Sequence, residues 1–241
     1  MSEMVNAMYG LPREHWRTIY RILERQEELQ WVKLFGSRAR GDYRCTSDVD
    51  LAFAGAAGVR ERLLGAFERS GLPYTFDVID YGRQANERLQ RTVDIEGKLI
   101  FTAEMGKRRM TKVQIHLKWE DYHRALHRLQ RVLEMESDVD GIYLDATIQR
   151  FEFCFELAWK LMKAVLSYDG IEVSSPRGSI REAWKLGIIG DAEMWLDMLE
   201  KRNLSAHTYS EVTAEEIYQA IRETYIELLL RLDAYAETLP S

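Results

Sequence analysis

The sequence has few cysteines, few prolines and no long apolar run. The absence of each feature argues against a class of protein. Its 241 residues include two cysteines and four prolines. Two thiols do not form a disulfide framework, and Cys45 and Cys154 lack metal-site spacing, so we expect both to be free. No run of about 18 apolar residues and no basic leader is readable, so we expect a cytoplasmic protein without a membrane partner.

Positive charge is also scarce, because 33 Lys and Arg residues face 39 Asp and Glu residues and the net charge is -6. Such a chain has no overall field that attracts DNA, so we predict no DNA partner, and any polynucleotide contact needs a local patch. The basic cluster of Lys107, Arg108, Arg109 and Lys112 is interpreted as a solvated linker.

The hydrophobic pattern changes character near residue 106. Before this point, short apolar segments typical of strands alternate with helical segments, whereas the periodicity after it is helical. We therefore predict an α/β (α+β) domain at residues 1–106 and an all-α helical bundle at residues 107–241. The predicted strands are 31–35, 48–53, 74–80 and 99–101, and the predicted helices are 12–29, 59–69, 85–93, 115–135, 143–168, 176–186, 192–202 and 213–235.

Three of the predicted helices begin with capping signals. Ser175 precedes Pro176 and is expected to be an N-cap, and Asp191 is expected to cap the following helix. Thr213 and Glu216 have the spacing of a capping box for the last helix.

Residues 36–51, GSRARGDYRCTSDVDL, join a Gly-Ser pair to two aspartates separated by one residue. On a strand, the alternation of side chains places Asp48 and Asp50 on one face. Two close carboxylates repel one another unless a cation lies between them. Asp77, on another predicted strand, can supply a third carboxylate. Because Mg²⁺ prefers carboxylates together with phosphate oxygens, the pattern predicts a magnesium and nucleotide site.

The residues at the start of this stretch are suited to phosphate. Gly36 ends the predicted strand and allows close backbone approach, and backbone N–H groups with the Ser37 hydroxyl can hold phosphate oxygens. Arg38 and Arg40 can neutralise charge on a leaving pyrophosphate. Together these residues predict in-line attack at an α-phosphate.

With these residues the sequence resembles the nucleotidyltransferase superfamily, and within it the minimal nucleotidyltransferase (MNT) group, over about residues 12–105. The resemblance implies a small mixed sheet flanked by helices, ATP with Mg²⁺, and metal ligation by Asp48, Asp50 and a third acid. We assign the third acid to Asp77, with Asp80 as the alternative. On a regular strand a shift of three residues reverses the face, so both cannot reach the same ions.

The second half, from about residue 114 to 237, resembles the helical HEPN proteins that are often labelled nucleotidyltransferase substrate-binding proteins. The matching stretches are FEFCFELAWKLMK, SPRGSIREAWKLGII and WLDMLEKRNLSAHTYSEVTAEEIY. The last contains R-x4-H-x-Y as Arg202, His207 and Tyr209, with Asn203 at the polar position beside the arginine. Arg202 can hold a scissile phosphate and His207 can move a proton, which is a metal-free ribonuclease arrangement. Without the resemblance, the preferred interpretation is structural: Arg202 caps a helix C-terminus and His207 bonds a neighbouring carbonyl.

The resemblance to MNT/HEPN toxin–antitoxin pairs implies that the first domain transfers AMP to the motif tyrosine and blocks the ribonuclease site. We therefore predict Tyr209 as the acceptor, RNA at the HEPN site and a homodimer formed through the helical domain. One alternative is adenylylation of a small molecule bound between the two domains, as in aminoglycoside nucleotidyltransferases. Others are an RNA endonuclease with a regulatory first domain and an inactive nucleotide-binding scaffold.

Two histidines in the helical half have the i, i+4 spacing of metal ligands. His123 and His127 lie one turn apart with Glu120 nearby. Since no further ligand is evident in the sequence, we interpret them as part of a solvated helix surface.

Overall fold

The computed structural model describes residues 7–104, 107–135, 142–205 and 211–239. The chain folds as two compact units, Met1–Val113 and Gln114–Ser241. Among the described residues, no helix combines the length and the apolar composition needed to cross a bilayer.

The first unit is a mixed α/β structure. Its strands are β1 Ala7–Met8, β2 Leu11–Pro12, β3 Leu29–Phe35, β4 Val49–Gly55, β5 Phe76–Asp80, β6 Lys98–Glu104 and β7 Lys107–Arg109. Its helices are α1 Arg13–Glu24, α2 Gly36–Arg40, α3 Val59–Glu68 and α4 Glu87–Glu96. Strands β1 and β2 form a short hairpin, and the other five form one sheet in the order β5-β4-β3-β6-β7. Only the β4–β5 pair is parallel, so the predicted small mixed sheet is confirmed.

Apolar burial explains why the centre of this sheet forms. Val32 and Leu34 of β3 and Leu51 and Phe53 of β4 are buried almost completely. Helix α1 buries its apolar stripe, which includes Trp16, as its helical spacing predicts. The two central strands are therefore fixed by burial, and the residues at their ends are placed by strand register.

The backbone of the basic cluster does not form the linker that its composition suggests. Lys107–Arg109 form strand β7, which pairs with β6 in antiparallel register from Thr102 opposite Arg109. Charged side chains are common on edge strands, where they discourage further pairing, and three residues are too few to show strand periodicity. The first unit consequently extends beyond the predicted boundary at residue 106.

The second unit is all-helical in its described part, as predicted. Its helices are α5 Lys112–Leu133, α6 Ile142–Tyr168, α7 Pro176–Lys185, α8 Ala192–Ser205, α9 Glu211–Ala220 and α10 Ile226–Glu237, with a π-helical turn at Ile221–Tyr225. Helix α6 packs against α7, α8, α9 and α10 and is therefore the central helix. Cys154 is buried on α6 and Cys45 is exposed, and both are free.

Two of the three predicted caps are confirmed and one is wrong. Ser175 Oγ accepts a hydrogen bond from the Gly178 N–H at 3.1 Å, and Asp191 Oδ1 accepts one from the Met194 N–H at 3.0 Å. Thr213 does not begin a helix, because it lies inside α9. The Thr-x-x-Glu pattern is short, so such matches also arise by chance.

Candidate active site

Strand register brings two aspartates to one face of the sheet, and a third aspartate directly precedes one of the strands. Asp50 of β4 lies opposite Phe35 of β3 on one side and opposite Asp77 of the parallel strand β5 on the other. Residues opposite one another on neighbouring strands present their side chains to the same face. Asp48 directly precedes β4, and its negative charge acts on the Asp50 carboxyl group. Asp48 and Asp77 are exposed and Asp50 is half-buried. The cluster is therefore open to solvent on one side.

The three carboxylates influence one another electrostatically. Burial raises the pKa of Asp50 above its ordinary value, and the negative charges of Asp77 and Asp48 raise it further, while Arg38 and Arg40 lower it. The cluster is thus a region of unfavourable negative charge that a cation would relieve.

These residues fit a magnesium ion that completes its ligand set from outside the protein. Among the described residues, no group of three or more His, Cys, Asp or Glu side chains is placed to hold a metal ion by itself. Mg²⁺ keeps several waters and takes one or two carboxylates with substrate phosphates, so an open carboxylate cluster of this kind suits it.

Asp80, the alternative third acid, is used by a turn. It is 7% exposed and accepts hydrogen bonds from the N–H groups of Gly82 and Arg83, both at 3.1 Å. The Arg83 guanidinium also pairs with it at 2.8 Å. In the sheet it lies opposite Phe53, three residues along from the Asp50–Asp77 pair. The geometry therefore favours Asp77 as the acid that acts with Asp50.

Gly36 lies directly against the Asp50 carboxylate. It has φ +72°, in the left-handed region, and a Cβ added to it would lie 2.3 Å from Asp50 Oδ2. Only glycine satisfies both conditions. Ser37 follows in the first turn of α2, where backbone N–H groups have no partner within the helix. The pairing of β3 with β4 thus brings the Gly-Ser pair and the Asp-x-Asp pair together.

Arg38 does not have the predicted role in phosphate binding, because its side chain is completely buried. Its guanidinium donates to the carbonyl oxygens of Ser47 at 2.7 Å and Asp48 at 3.1 Å, and to those of Tyr9 and Gly10 at 3.2 Å. The aromatic rings of Tyr43 and Tyr74 lie against the guanidinium, with centroids 5.5 and 5.0 Å away. Arg38 instead ties the β1–β2 hairpin to the backbone that carries Asp48.

Arg40 remains available to a ligand. Its side chain is 43% exposed and pairs with Glu96 at 2.9 Å and with Asp42 at 3.3 Å. The hydrogen bonds that its guanidinium donates to these two carboxylates raise its pKa. Exposed ion pairs of this kind exchange readily with other anions, so a phosphate can compete for Arg40.

The predicted HEPN residues Arg202 and Asn203 lie on the last turn of α8, beside a cavity of about 270 Å³. Arg202 Nη2 is 3.7 Å from Glu156 Oε2 of α6. Burial alone raises the pKa of Glu156, but hydrogen bonds from Trp159 and Lys160 and the charge of Arg202 bring it below its usual value. Sequence reasoning missed Glu156 as the partner of Arg202, because Glu156 is one of several charged residues on α6 and is distant from Arg202 in the sequence. His207 and Tyr209 lie outside the described residues.

The first unit has the small mixed sheet expected of a nucleotidyltransferase domain, and residues 17–105 match the family described as polymerase beta, nucleotidyltransferase. The chain belongs to the family described as nucleotidyltransferase substrate binding protein like, which matches residues 117–237, half of its length. The predicted relationship to nucleotidyltransferases and to their substrate-binding proteins is therefore confirmed.

Three known proteins are similar to parts of the chain. The probable ribonuclease HepT of Haemophilus influenzae is 34% identical over 96 residues, which are 38% of this chain and 66% of that protein. A solved Haemophilus influenzae structure, described as the substrate binding domain of a nucleotidyltransferase, is 24% identical over 53% of this chain and 100% of its own, with a TM-score of 0.41. A toxin–antitoxin structure with AMP-PNP is 23% identical over 47% of this chain and 91% of its own, with a TM-score of 0.32. The chain thus spans just under two thirds of the curated relative.

Proposed function

We propose that the first unit transfers AMP from ATP to the hydroxyl group of Tyr209 and so silences a ribonuclease site in the second unit. The main support for the transfer step is that Gly36 lies directly against the Asp50 carboxylate, while Asp77 lies opposite Asp50 on the next strand. A turn suited to phosphate and a set of carboxylates suited to Mg²⁺ then meet at one point.

In this reaction the tyrosine oxygen attacks the α-phosphorus of ATP, a new P–O bond forms, and the bond to the β-phosphate breaks to release pyrophosphate. The phenolic proton passes to the carboxylate cluster. A bound Mg²⁺ would neutralise charge at the phosphates. Asp48, Asp50 and Asp77 would hold the ion, Ser37 and the α2 backbone hold phosphate oxygens, and exposed Arg40 stabilises the departing pyrophosphate.

The silencing step follows from the chemistry of the second unit. Arg202 is the predicted RNA phosphate ligand, His207 the predicted proton carrier, and Tyr209 lies two residues beyond His207 in the sequence. An AMP group on Tyr209 adds a bulky anion close in sequence to Arg202 and competes for the contacts an RNA phosphate requires. The similarity to a probable ribonuclease supports RNA as the substrate of this site. In this proposal the active form is a homodimer through the second unit.

Incubation with ATP and Mg²⁺ is expected to increase the mass of the protein by whole AMP units. The increase should disappear in Tyr209→Phe, which lacks the acceptor oxygen, and in Asp48→Ala/Asp50→Ala, which lacks the carboxylates. Intact-mass spectrometry measures the addition, and peptide mapping locates it.

Tyr218→Phe is a suitable control, because it removes the same hydroxyl from a buried tyrosine of α9. The Tyr218→Phe protein should gain the same mass of AMP as the wild type. A wild-type mass that stays unchanged under conditions where ATP binds would contradict Tyr209 as acceptor and favour a small-molecule substrate.

The ribonuclease step predicts a growth phenotype. Expression of Asp48→Ala/Asp50→Ala is expected to inhibit growth, because the second unit can no longer be silenced, and added His207→Ala is expected to relieve the inhibition. The measurement is colony formation after induction, with protein levels compared by immunoblot. Growth inhibition that persists at equal levels of the His207→Ala protein rules out His207 as the proton carrier.

A further inference from the structure

One face of helix α5 carries four aromatic side chains in a continuous row. His116 contacts Trp119, Trp119 contacts His123, and His123 contacts His127, with ring centroids 5.1, 5.2 and 4.3 Å apart. The spacing of three or four residues places all of them on the same side of the helix. The two histidines at the C-terminal end of the row therefore meet one turn apart.

Asp233 of α10 holds the first of these histidines in a fixed orientation. Its Oδ2 lies 2.8 Å from His123 Nδ1, and its Oδ1 accepts a hydrogen bond from Trp119 Nε1 at 2.9 Å. The Asp233 side chain is only 15% exposed. Since an ionised carboxylate can only accept, the proton of neutral His123 lies on Nδ1, and its Nε2 carries a lone pair.

That lone pair faces the second histidine. His123 Nε2 and His127 Nε2 are 3.0 Å apart, which is a hydrogen bond in which His127 donates. His127 is exposed, so its ring can turn without disturbing the core. The paired nitrogens are the usual metal-binding atoms of histidine, and a carboxylate on the opposite ring nitrogen is the usual support of a metal-bound histidine.

The nitrogen separation also fits a metal ion. Two metal–nitrogen bonds of about 2.0–2.1 Å that meet near a right angle hold their nitrogens about 3.0 Å apart, whereas a tetrahedral angle requires about 3.4 Å. Right angles are typical of tetragonal Cu²⁺ and Ni²⁺ sites. A small rotation of His127 then aims both lone pairs at one ion, which takes the place of the shared proton.

We propose that His123 and His127 form a binding site for a divalent transition-metal ion of the Cu²⁺ or Ni²⁺ type, with Asp233 and Trp119 as positioning residues. No third His, Cys, Asp or Glu among the described residues completes the ligand set, so water fills the other positions. Because Asp233 belongs to α10 and both ligands belong to α5, a bound ion stabilises the contact between these two helices.

The test is a titration of the untagged full-length protein with Cu²⁺ or with Ni²⁺, followed by calorimetry. A large excess of Mg²⁺ is present throughout, so that the carboxylates of the first unit are occupied. We expect one ion per chain, two nitrogen donors in the Cu²⁺ electron paramagnetic resonance spectrum, and an increase in Tm on binding.

The variants separate the two ligands from their supports. His127→Gln is expected to weaken binding by at least about tenfold, and Asp233→Asn by about 10- to 100-fold, although it retains both imidazoles. His116→Gln is the matched control, because it lies on the same face but pairs with Glu120 at 3.5 Å. Its affinity should equal that of the wild type. Absence of binding, or equal affinity in His127→Gln and the wild type, overturns the site, and unchanged affinity in Asp233→Asn overturns the positioning role.

Discussion

Replacement of Asp50 by asparagine is expected to lower AMP transfer by at least about 100-fold while it raises the Tm of the metal-free protein. Asparagine retains the shape of the side chain but removes a negative charge that burial and two neighbouring aspartates make unfavourable. Mg²⁺ with a non-hydrolysable ATP analogue should raise the Tm of the wild type and have little effect on the variant. Differential scanning fluorimetry and the intact-mass assay measure the two effects.

The pH dependence of this stability difference has a definite sign. The pKa of Asp50 is raised in the folded protein, so the folded state binds this proton more tightly than the unfolded state does. The contribution of Asp50 to stability therefore decreases as the pH rises above the ordinary value of 3.8 towards the folded pKa. The Tm advantage of Asp50→Asn should be largest at neutral pH and should shrink as the pH falls through that range.

Two further variants decide which acid acts with Asp50. Asp77→Asn should also lose AMP transfer without loss of stability, because its side chain is exposed and shares the Asp50 face. Asp80→Asn should lower the Tm, because Asp80 holds a turn, and should retain transfer at temperatures where the protein is folded. The reverse pattern would assign the third ligand to Asp80.

The parts of the site that the sequence predicts are those set by strand alternation. Alternation on a strand predicts that Asp48 and Asp50 share a face because they are two residues apart, and in the structure β4 begins between them at Val49. The sequence does not contain the register between β4 and β5, which decides that Asp50 lies opposite Asp77. That register depends on which apolar faces are buried across the whole sheet.

The contacts that the sequence could not predict join residues distant in the chain. Nothing near His123 indicates that Asp233 orients it, since the two are 110 residues apart. Likewise, the position of Arg38 beside the Gly-Ser turn favours a role in phosphate binding. Only the packing of the β1–β2 hairpin shows that Arg38 is buried. Composition and spacing indicate which chemistry a residue can perform, but burial decides whether a ligand can reach it.

Arg38→Lys is expected to destabilise the protein by about 3–5 kcal/mol and to lower its Tm by at least about 10 °C. A lysine ammonium is compact and cannot reproduce the guanidinium fork that reaches the carbonyls of Ser47, Asp48, Tyr9 and Gly10. Each hydrogen bond from the charged guanidinium to a carbonyl oxygen contributes about 1.5–3 kcal/mol, and several are lost at once. Urea unfolding monitored by tryptophan fluorescence measures the difference.

Arg40→Lys is the matched control, because it makes the same substitution two residues away at an exposed position. Its ion pairs with Glu96 and Asp42 are exposed to solvent and contribute little to stability, so the stability of the variant should stay close to that of the wild type. If Arg40 binds the departing pyrophosphate, Arg40→Lys transfers AMP more slowly than the wild type. Arg38→Lys, assayed at low temperature, instead loses activity because part of the protein is unfolded and because Asp48 is displaced. If Arg38→Lys has the stability of the wild type and only its KM for ATP is raised, the structural role is wrong and Arg38 binds phosphate, as the sequence suggests. The pair of variants therefore separates an arginine that builds the site from an arginine that acts in it.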